Sequence, residues 1–206
     1  MSTDPNEPKI GLVLLAAGGS RRLRKPKQLL CYRGESLLRR AAKAALSSRC
    51  ARVMVVLGAN AAAFGSELQG LRLLTVVNPN WEEGIGSSIR AGIAALDDAA
   101  PDLDAVLLAL CDQALIEQCH LNRLVEIFCA FRPPVVASRH GDAFGAPAVF
   151  HRSLFGELAR LAGDRGAKKI IRRHIHSTVF VDLPEAGMDI DTAEDYARLM
   201  NFPDNR

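Results

Sequence analysis

The chain has 206 residues, 49% of them hydrophobic and 24% charged, which is typical of globular enzymes and argues against a disordered or membrane-embedded protein. Its formal net charge of +3 is too small to indicate a nucleic-acid partner. A chain of this length buries roughly 70% of its unfolded surface on folding, so we expect a single domain over residues 1–206.

The amino terminus and the cysteines predict the compartment. The stretch MSTDPNEPK is polar and lacks the basic-then-apolar order of a secretory signal, and the apolar runs are too short to span a membrane. We therefore expect a cytoplasmic protein with no membrane partner, and residues 1–8 to be disordered. The five cysteines form no CxxC pair, so buried thiols are expected rather than disulfides or a zinc site.

Apolar runs typical of β-strands alternate with helical patterns along the chain. Strands are predicted at 10–15, 53–57, 73–77, 105–110, 135–137 and 178–181. The first four are almost continuously apolar, as expected for strands covered on both faces. Helices are predicted over 37–46 with Ser36 as N-cap, over 121–128, near 154–161 and 167–174, and from Thr192 onwards.

This alternation predicts the fold class. We expect an α/β fold with an open, mostly parallel, Rossmann-like sheet, helices on both faces, and ligands at the carboxyl ends of the strands. Between 141 and 147 the pattern becomes irregular, with two glycines and a proline. We interpret that stretch as a hairpin-like excursion that covers the site.

The first predicted strand runs into a loop of small residues followed by cations, in the segment LVLLAAGGSRRLRKPKQLL over 12–30. The small residues at 16–20 allow backbone N–H groups to close around phosphate oxygens, and the cations at 21–27 can neutralise their charge. The spacing matches neither GxGxxG nor the P-loop. A solvated basic turn is the alternative, but a buried strand feeding the loop favours a polyphosphate site with Lys27 as phosphate ligand.

Two acidic segments follow predicted elements. Asp112 comes directly after the apolar run VLLALC, where a carboxylate is costly unless a cation compensates it, and Mg²⁺ is the natural cation beside phosphate. The alternative for Asp112 is a helix N-cap or a turn residue. The segment DIDTAED over 189–195 has the pattern of an ordinary helix start, with Asp191 or Thr192 as the cap.

The segment NPNWEEGIGSSIR over 78–90 ends in serines where a helix is predicted to begin. Their hydroxyls and the first free N–H groups of the helix can receive an anion or a base edge. The single tryptophan has an equal claim as a packing anchor. The five histidines lack metal-ligand spacing, and there is no G-x-S-x-G nucleophile elbow.

Together these motifs resemble one family. L-A-A-G-x-S-x-R followed by x-x-P-K-Q-L-L is similar to the nucleotide-binding opening of the molybdopterin nucleotidyltransferases, in the cytidylyltransferase (MocA-like) branch of the MobA-like nucleoside-triphosphate transferases. LCDQ, DIDT-x-ED, N-x-x-W-x-x-G-x-x-x-S-x-x-x-G, G-A-P and G-D-x-G-A resemble later family segments in order, from residue 12 to about 196. The chain departs from the family at Arg24, where glycine is usual, and at Ala114 and Ala193, where proline is usual.

The resemblance implies a nucleotide-diphospho-sugar transferase type of fold and a role for each matched residue. It implies catalytic roles for Arg22, Lys27 and Asp112, and a Mg²⁺ site formed by Asp112 and Asp191, with Asp189 as a weaker candidate. The implied nucleotide-binding residues are Leu15, Ala16, Ala17, Gly18, Gly19, Ser20, Arg22, Lys27, Asn78, Ser87, Ser88 and Asp112. The implied acceptor-binding residues are Gly145, Pro147, Gly163, Asp164 and Gly166.

The activity implied by the resemblance is transfer of CMP from MgCTP to molybdopterin, with release of pyrophosphate. A molybdenum hydroxylase or its maturation chaperone is the implied protein partner. CTP rather than GTP is expected because Ala17 stands where the guanylyl branch has glycine. Two alternatives stay open: a nucleotidyltransferase of the same fold with another acceptor, such as a sugar phosphate, and a non-catalytic maturation factor for a molybdenum hydroxylase.

Overall fold

The computed structural model describes residues 7–20, 23, 25–164 and 166–203. Its strands and helices are, in chain order, β1 (Ile10–Leu15), β2 (Cys31–Tyr32), β3 (Glu35–Ser36), α1 (Leu37–Ser47), β4 (Arg52–Leu57), α2 (Ala61–Glu67), β5 (Leu74–Val77), α3 (Ile85–Ala99), β6 (Ala105–Leu110), α4 (Gln118–Phe131), β7 (Val135–His140), β8 (Ala143–His151), α5 (Phe155–Leu158), α6 (Lys168–Arg173), β9 (Thr178–Asp182) and α7 (Ala193–Met200). Most of the segment expected to be disordered lies outside the described residues, and Glu7 within it pairs with Arg49. No described helix is long and apolar enough to cross a bilayer.

Within these described ranges, seven strands form one sheet in the order β5-β4-β1-β6-β8-β7-β9. Every neighbouring pair is parallel except the two that involve β8, which runs antiparallel to both β6 and β7. The predicted open, mostly parallel α/β sheet is therefore confirmed. Because β1 lies between β4 and β6, the loop after β1 emerges beside the carboxyl end of β6, which places it at a ligand-binding edge.

Helices cover both faces of the sheet, and side chains alternate between two cores. Leu12 and Leu14 of β1 pack with α1, α2 and α4 on one face. Val13 and Leu15 pack with α3, α5 and α6 on the other. All six residues of β1 are buried, because a central strand flanked by helices on both sides has no solvent face.

Three expectations about individual elements need correction. Strand β5 is not covered on both faces: it is an edge strand, and Leu74 and Val77 are exposed. The stretch around Gly141 is a hairpin as predicted, but it is not an excursion over the site, since β8 enters the main sheet between β6 and β7. The helix expected over 154–161 is only the short α5, preceded by a 3-10 turn.

The predicted helix starts agree with the capping seen. The Ser36 hydroxyl accepts a hydrogen bond from the Arg39 N–H at the start of α1. Thr192 caps α7 through a reciprocal pair of hydrogen bonds with Asp195. Hydrogen bonds of this kind satisfy N–H groups that the first helical turn leaves free, so the caps fix where each chain segment enters its helix.

The close contact between α3 and the sheet depends on Gly92. A Cβ atom at this position would lie 2.5 Å from Val13 Cγ1 and 2.8 Å from Val56 Cγ2, in the packed core. Gly92→Ala is therefore expected to lower the free energy of unfolding by about 1–3 kcal/mol through overpacking. Chemical denaturation monitored by circular dichroism measures the change.

Gly65→Ala is the matched control, since Gly65 lies inside α2 with open space around its Cβ position. That substitution is expected to leave stability unchanged or raise it by up to about 1 kcal/mol, as alanine favours helix. Equal effects of the two substitutions would contradict the assigned close approach of α3 to the sheet.

Candidate active site

A cavity opens at the carboxyl ends of β1 and β6. Its volume is about 370 Å³. It is lined by Leu15, Ala16, Ala17, Gly18, Gly19, Lys27, Gln28, Trp81, Glu82, Gly84, Ile85, Ser88, Leu110, Cys111, Asp112 and Asp164. Four chain segments that are distant in sequence therefore meet here: the small-residue loop with the residues that follow it, the start of α3, the end of β6 and the turn at Asp164.

Lys27 connects two carboxylates that come from different parts of the chain. Its ammonium forms a short hydrogen bond to Asp112 Oδ2 and lies 3.0 Å from Asp191 Oδ1. Only 15% of the Lys27 side chain and 14% of the Asp112 side chain are exposed, whereas Asp191 is more open at 39%. The three residues that the sequence singled out are thus brought together in one ion cluster.

The chain holds Asp191 beside Asp112 by its backbone. The N–H of Ile190 donates to the Asp112 carbonyl at 3.1 Å, and Ile190 itself is fully buried. The Asp195 carboxylate accepts the N–H groups of Asp191 and Thr192. Although burial acts in the opposite direction, hydrogen bonds from Thr192 and Arg198 lower the pKa of Asp195 to about 2, so this cap is ionised at neutral pH.

The electrostatics of the cluster keep Lys27 charged. Burial alone would lower the pKa of Lys27, but the charges and hydrogen bonds of Asp112 and Asp191 offset it and raise that pKa well above its usual range. Burial, together with the charge of Asp112, raises the pKa of the neighbouring Asp189 to about 6. Burial also raises the pKa of the Cys111 thiol, which makes it a poor nucleophile.

The residues present fit a magnesium ion. Asp112 Oδ1 is buried and has no hydrogen-bond partner among the described residues, so this oxygen is left for a ligand outside the chain. Within the described ranges no group of three or more acidic, histidine or cysteine side chains forms a metal cage. Two carboxylates suffice for Mg²⁺, which usually takes one or two carboxylates and completes its shell with water and phosphate oxygens.

Of the three residues in the segment over 78–90 that were predicted to bind the nucleotide, one lies on the cavity wall. Ser88 lines the cavity, while Ser87 and Asn78 lie behind it. The Asn78 amide donates to the hydroxyls of Ser87 and Ser88 at 2.8 and 3.1 Å, and the Ser87 hydroxyl donates to a carbonyl in the turn before α3. In the structure, Asn78 and Ser87 therefore act as a buried support for the start of α3.

The residues assigned to the acceptor fall in two places. Asp164 lines the cavity, and the Gly163 carbonyl accepts the Gly86 N–H at 3.0 Å, so this loop abuts the start of α3. Gly166 follows in the same turn, with its N–H donating to the Asp164 carbonyl. The approach requires Gly84, because a Cβ there would lie 2.5 Å from both the Asp164 carboxylate and the Gly163 backbone.

Gly145 and Pro147 lie on β8 rather than on the cavity wall. They are joined to the site through Gln113, whose amide donates to the Ala146 carbonyl at 2.9 Å. The Gly145 carbonyl accepts the buried Ser138 hydroxyl. Arg22, predicted as a catalytic residue, lies outside the described residues, as does Arg24.

Two of the cavity residues that were not assigned from the sequence contact the loop of small residues after β1. Gln28 is a fully buried polar residue whose side chain contacts the loop of small residues after β1. The sequence feature that could have identified it is a glutamine directly before two leucines. The sequence left the role of Trp81 open between packing and binding. Its indole lies close to Gly19, since a Cβ atom at Gly19 would come within 2.8 Å of the ring. Trp81 therefore packs against the phosphate loop and also forms part of the cavity wall.

Fold and site together define an α/β nucleotide-binding protein with a loop of small residues, a lysine and a carboxylate pair at its strand ends. The chain belongs to the MobA-like NTP transferase domain family, whose model matches residues 12–179. The family recognised from the motifs is confirmed. Membership makes the chain a nucleotidyltransferase, with a nucleoside triphosphate as its substrate class.

Individual relatives span almost the whole chain. Nicotine blue oxidoreductase of Paenarthrobacter nicotinovorans is 34% identical over 209 residues, covering 96% of this chain and 99% of that protein. Purine catabolism protein PucB of Bacillus subtilis (strain 168) is 32% identical over 195 residues, covering 89% and 92% respectively.

The crystal structure of Rv0371c from Mycobacterium tuberculosis H37Rv has a TM-score of 0.82 and 30% identity, covering 95% of this chain and 100% of that one. A structure of Rv0371c in complex with manganese has a TM-score of 0.77 and 31% identity, covering 93% of this chain and 98% of that one.

The position of Lys27 generates a prediction about divalent cations. Lys27→Met removes the ammonium that pairs with the carboxylates of Asp112 and Asp191. Affinity for Mn²⁺ without nucleotide is expected to rise about tenfold or more after allowance for solvent screening, since a unit charge at close range is worth on the order of 4 kcal/mol near a protein surface. Electron paramagnetic resonance of free Mn²⁺ measures the binding.

Lys9→Met is the matched control, because Lys9 pairs with Asp102 and lies before β1, at the amino-terminal end of the strands. It removes the same charge and is expected to change Mn²⁺ affinity less than twofold, since surface charges beyond about 10 Å are screened by salt. Unchanged or weaker Mn²⁺ binding by Lys27→Met would contradict the carboxylate site.

Proposed function

We propose that this chain is a single-domain cytoplasmic cytidylyltransferase that transfers CMP from MgCTP to molybdopterin. The observation that carries the proposal is the charged Lys27 held between Asp112 and Asp191 at the mouth of the small-residue loop. Nucleotidyl transfer uses no protein nucleophile. It needs a cation, two carboxylates and a loop that can surround a phosphate, and these groups lie together at one edge of the sheet.

The reaction itself is a displacement at phosphorus. A terminal phosphate oxygen of the acceptor forms a bond to the α-phosphorus of CTP, the bond to the β-phosphate oxygen breaks, and pyrophosphate leaves. Lys27 stabilises the charge that develops on the leaving group, and the N–H groups of the loop bind its oxygens. Arg22 is proposed to share this role. Cys111 remains a protonated, buried thiol beside these groups and takes no part.

Asp112 and Asp191 are the residues that would hold Mg²⁺. When bound, the ion supplies charge neutralisation and orients the phosphates. The Oδ1 atom of Asp112 is buried without a hydrogen-bond partner among the described residues, and the Asp191 side chain is more exposed than that of Asp112. Asp189, whose ionisation is disfavoured by burial, has the weaker claim to a ligand role.

The cavity also divides into proposed nucleotide and acceptor sides. Ser88 at the start of α3, supported by Asn78 and Ser87, is assigned to the nucleotide together with the loop over 15–20. Asp164 lines the same cavity and is assigned to the acceptor with Gly163 and Gly166. Gly145 and Pro147 are assigned to the acceptor through their link to Gln113, which follows Asp112.

The resemblance of the motifs supports CTP and molybdopterin as the substrates. It also supports a molybdenum hydroxylase or its chaperone as the protein partner. We expect pyrophosphate release to be faster with CTP than with GTP, because Ala17 is the residue by which the opening resembles the cytidylyl branch. A coupled pyrophosphate assay with each triphosphate, Mg²⁺ and molybdopterin measures the ratio. Equal or faster turnover of GTP would contradict the assignment, and turnover only with sugar phosphates would transfer the proposal to another acceptor.

Asp112→Asn tests the carboxylate site in turnover. The amide keeps the shape of the side chain but loses the charge that faces Lys27, so we expect pyrophosphate release to fall by about a hundredfold or more. Asp102→Asn, at the exposed pair with Lys9, is the control and is expected to leave turnover unchanged. Substantial activity in Asp112→Asn at ordinary Mg²⁺ concentration would place the metal site elsewhere.

One relative carries an oxidoreductase name, which gives a second candidate activity. An oxidoreductase would consume an electron donor such as NADPH without releasing pyrophosphate and without dependence on the Asp112 charge. Measuring NADPH oxidation and pyrophosphate release on the same preparation separates the two. A non-catalytic maturation factor would bind the molybdenum cofactor and show neither signal.

A further inference from the structure

We propose that Gln28 is a positioning residue that turns the phosphate loop so that it presents N–H groups, and not carbonyl oxygens, to the nucleotide. The inference rests on the proposed function only in taking this loop to be the phosphate site. It concerns a buried residue of the cavity lining, and it makes a claim about the phosphates that is independent of the base and of the acceptor.

The side chain of Gln28 donates hydrogen bonds to two backbone carbonyls of the loop. Its amide nitrogen donates to the Ala16 carbonyl at 2.9 Å and to the Gly18 carbonyl at 2.7 Å. Gln28 is fully buried, so water does not compete for these hydrogen bonds. Both donor hydrogens of the amide are thereby used on alternate residues of the loop.

The rest of the loop is arranged around the same contacts. The side-chain oxygen Oε1 of Gln28 accepts a hydrogen bond from the Ser20 hydroxyl at 3.3 Å, and the oxygen of that hydroxyl accepts one from the Lys27 backbone N–H at 2.8 Å. The carbonyl of Ala17, the residue between the two held by Gln28, accepts the Ala59 N–H at 3.4 Å. Ser20 has a positive φ of 51°, a conformation that these bonds help to hold.

This leaves the loop with one polarity toward the cavity. The carbonyls of Ala16, Ala17 and Gly18 are all engaged by protein donors. Among the described residues, the N–H groups of Ala17, Gly18 and Gly19 donate to no protein acceptor, although all three residues line the cavity. Successive N–H groups without partners form an anion-binding concavity, whereas carbonyls turned the same way would repel phosphate.

Gln28 also couples the loop to Lys27, which precedes it in the chain. Because Gln28 fixes the loop backbone and Ser20 fixes the Lys27 N–H, the cation and the N–H groups are placed on one rigid frame. Without the Gln28 amide, the two carbonyls are free to rotate. The phosphates would then lose hydrogen bonds from the loop N–H groups, whereas the base would lose none. The effect must therefore appear with phosphate-bearing ligands and be absent with the nucleoside.

The test compares pyrophosphate with cytidine as ligands of Gln28→Met. Methionine keeps the length and bulk of the side chain but cannot donate. We expect the inhibition constant of pyrophosphate and the KM of CTP to rise about tenfold or more, as loss of two hydrogen bonds predicts. The inhibition constant of cytidine is expected to change less than twofold, and kcat less than KM.

Gln28→Glu keeps the shape and the bond with Ser20 but offers acceptors to the two carbonyls, so it is expected to weaken pyrophosphate binding at least as much. The matched control is Arg39→Met, because the Arg39 guanidinium donates to the carbonyls of Glu67 and Gln69 far along the chain from the loop. It is expected to lower thermal stability without raising either constant.

A parallel loss of pyrophosphate and cytidine binding in the Gln28 variants would overturn the proposal, as that is the result of local unfolding. Unchanged pyrophosphate binding in either folded variant would also overturn it. Failure of the proposed function is distinguishable, since a preference for GTP or another acceptor leaves the pyrophosphate comparison intact.

Discussion

The ion cluster of Lys27, Asp112 and Asp191 is the interaction on which the site depends. Its members are separated by 85 and 164 positions in the chain, so it closes only when the loop after β1, the end of β6 and the segment before α7 are all in place. Removing one member of a largely buried ion cluster leaves the others without compensation, which costs more than the pairing gains. The cluster therefore forms only when these three segments are correctly assembled.

The sequence predicted the elements that are locally encoded. Continuous apolar runs identified β1 and β6, and Ser36 and Thr192 marked helix starts, because burial and capping follow from neighbouring residues. The antiparallel insertion of β8 depends on which strands it meets, and no local pattern carries that information. The exposure of β5 has the same origin: Leu74 and Val77 are apolar, but position at the sheet edge leaves them uncovered.

The site shows a similar division. Residue chemistry alone led to Lys27 as a phosphate ligand and Asp112 as a metal ligand, and the structure places them in contact. The sequence alone offered Asp191 or Thr192 as the cap of α7, and only the resemblance gave Asp191 a further role. In the structure Thr192 is the cap, while the Asp191 carboxylate faces Lys27 and its N–H donates to Asp195. Gln28 was missed because a buried amide is recognised by the carbonyls it meets, which a sequence does not display.

Charge balance in the cluster bears on how ligands enter. With Lys27 bound to both carboxylates, neither the cation nor the anions of the cluster are free to act alone on an incoming ligand. A triphosphate that draws Lys27 away weakens the charge compensation of the two carboxylates, and a divalent cation that reaches the carboxylates weakens the charge compensation of the ammonium. Each partner relieves the cost of the other, so nucleotide and cation binding are coupled through Lys27. In the proposed site, Gln28 adds to this coupling, because its hydrogen bonds to the loop carbonyls fix the loop N–H groups close to Lys27 and the phosphates.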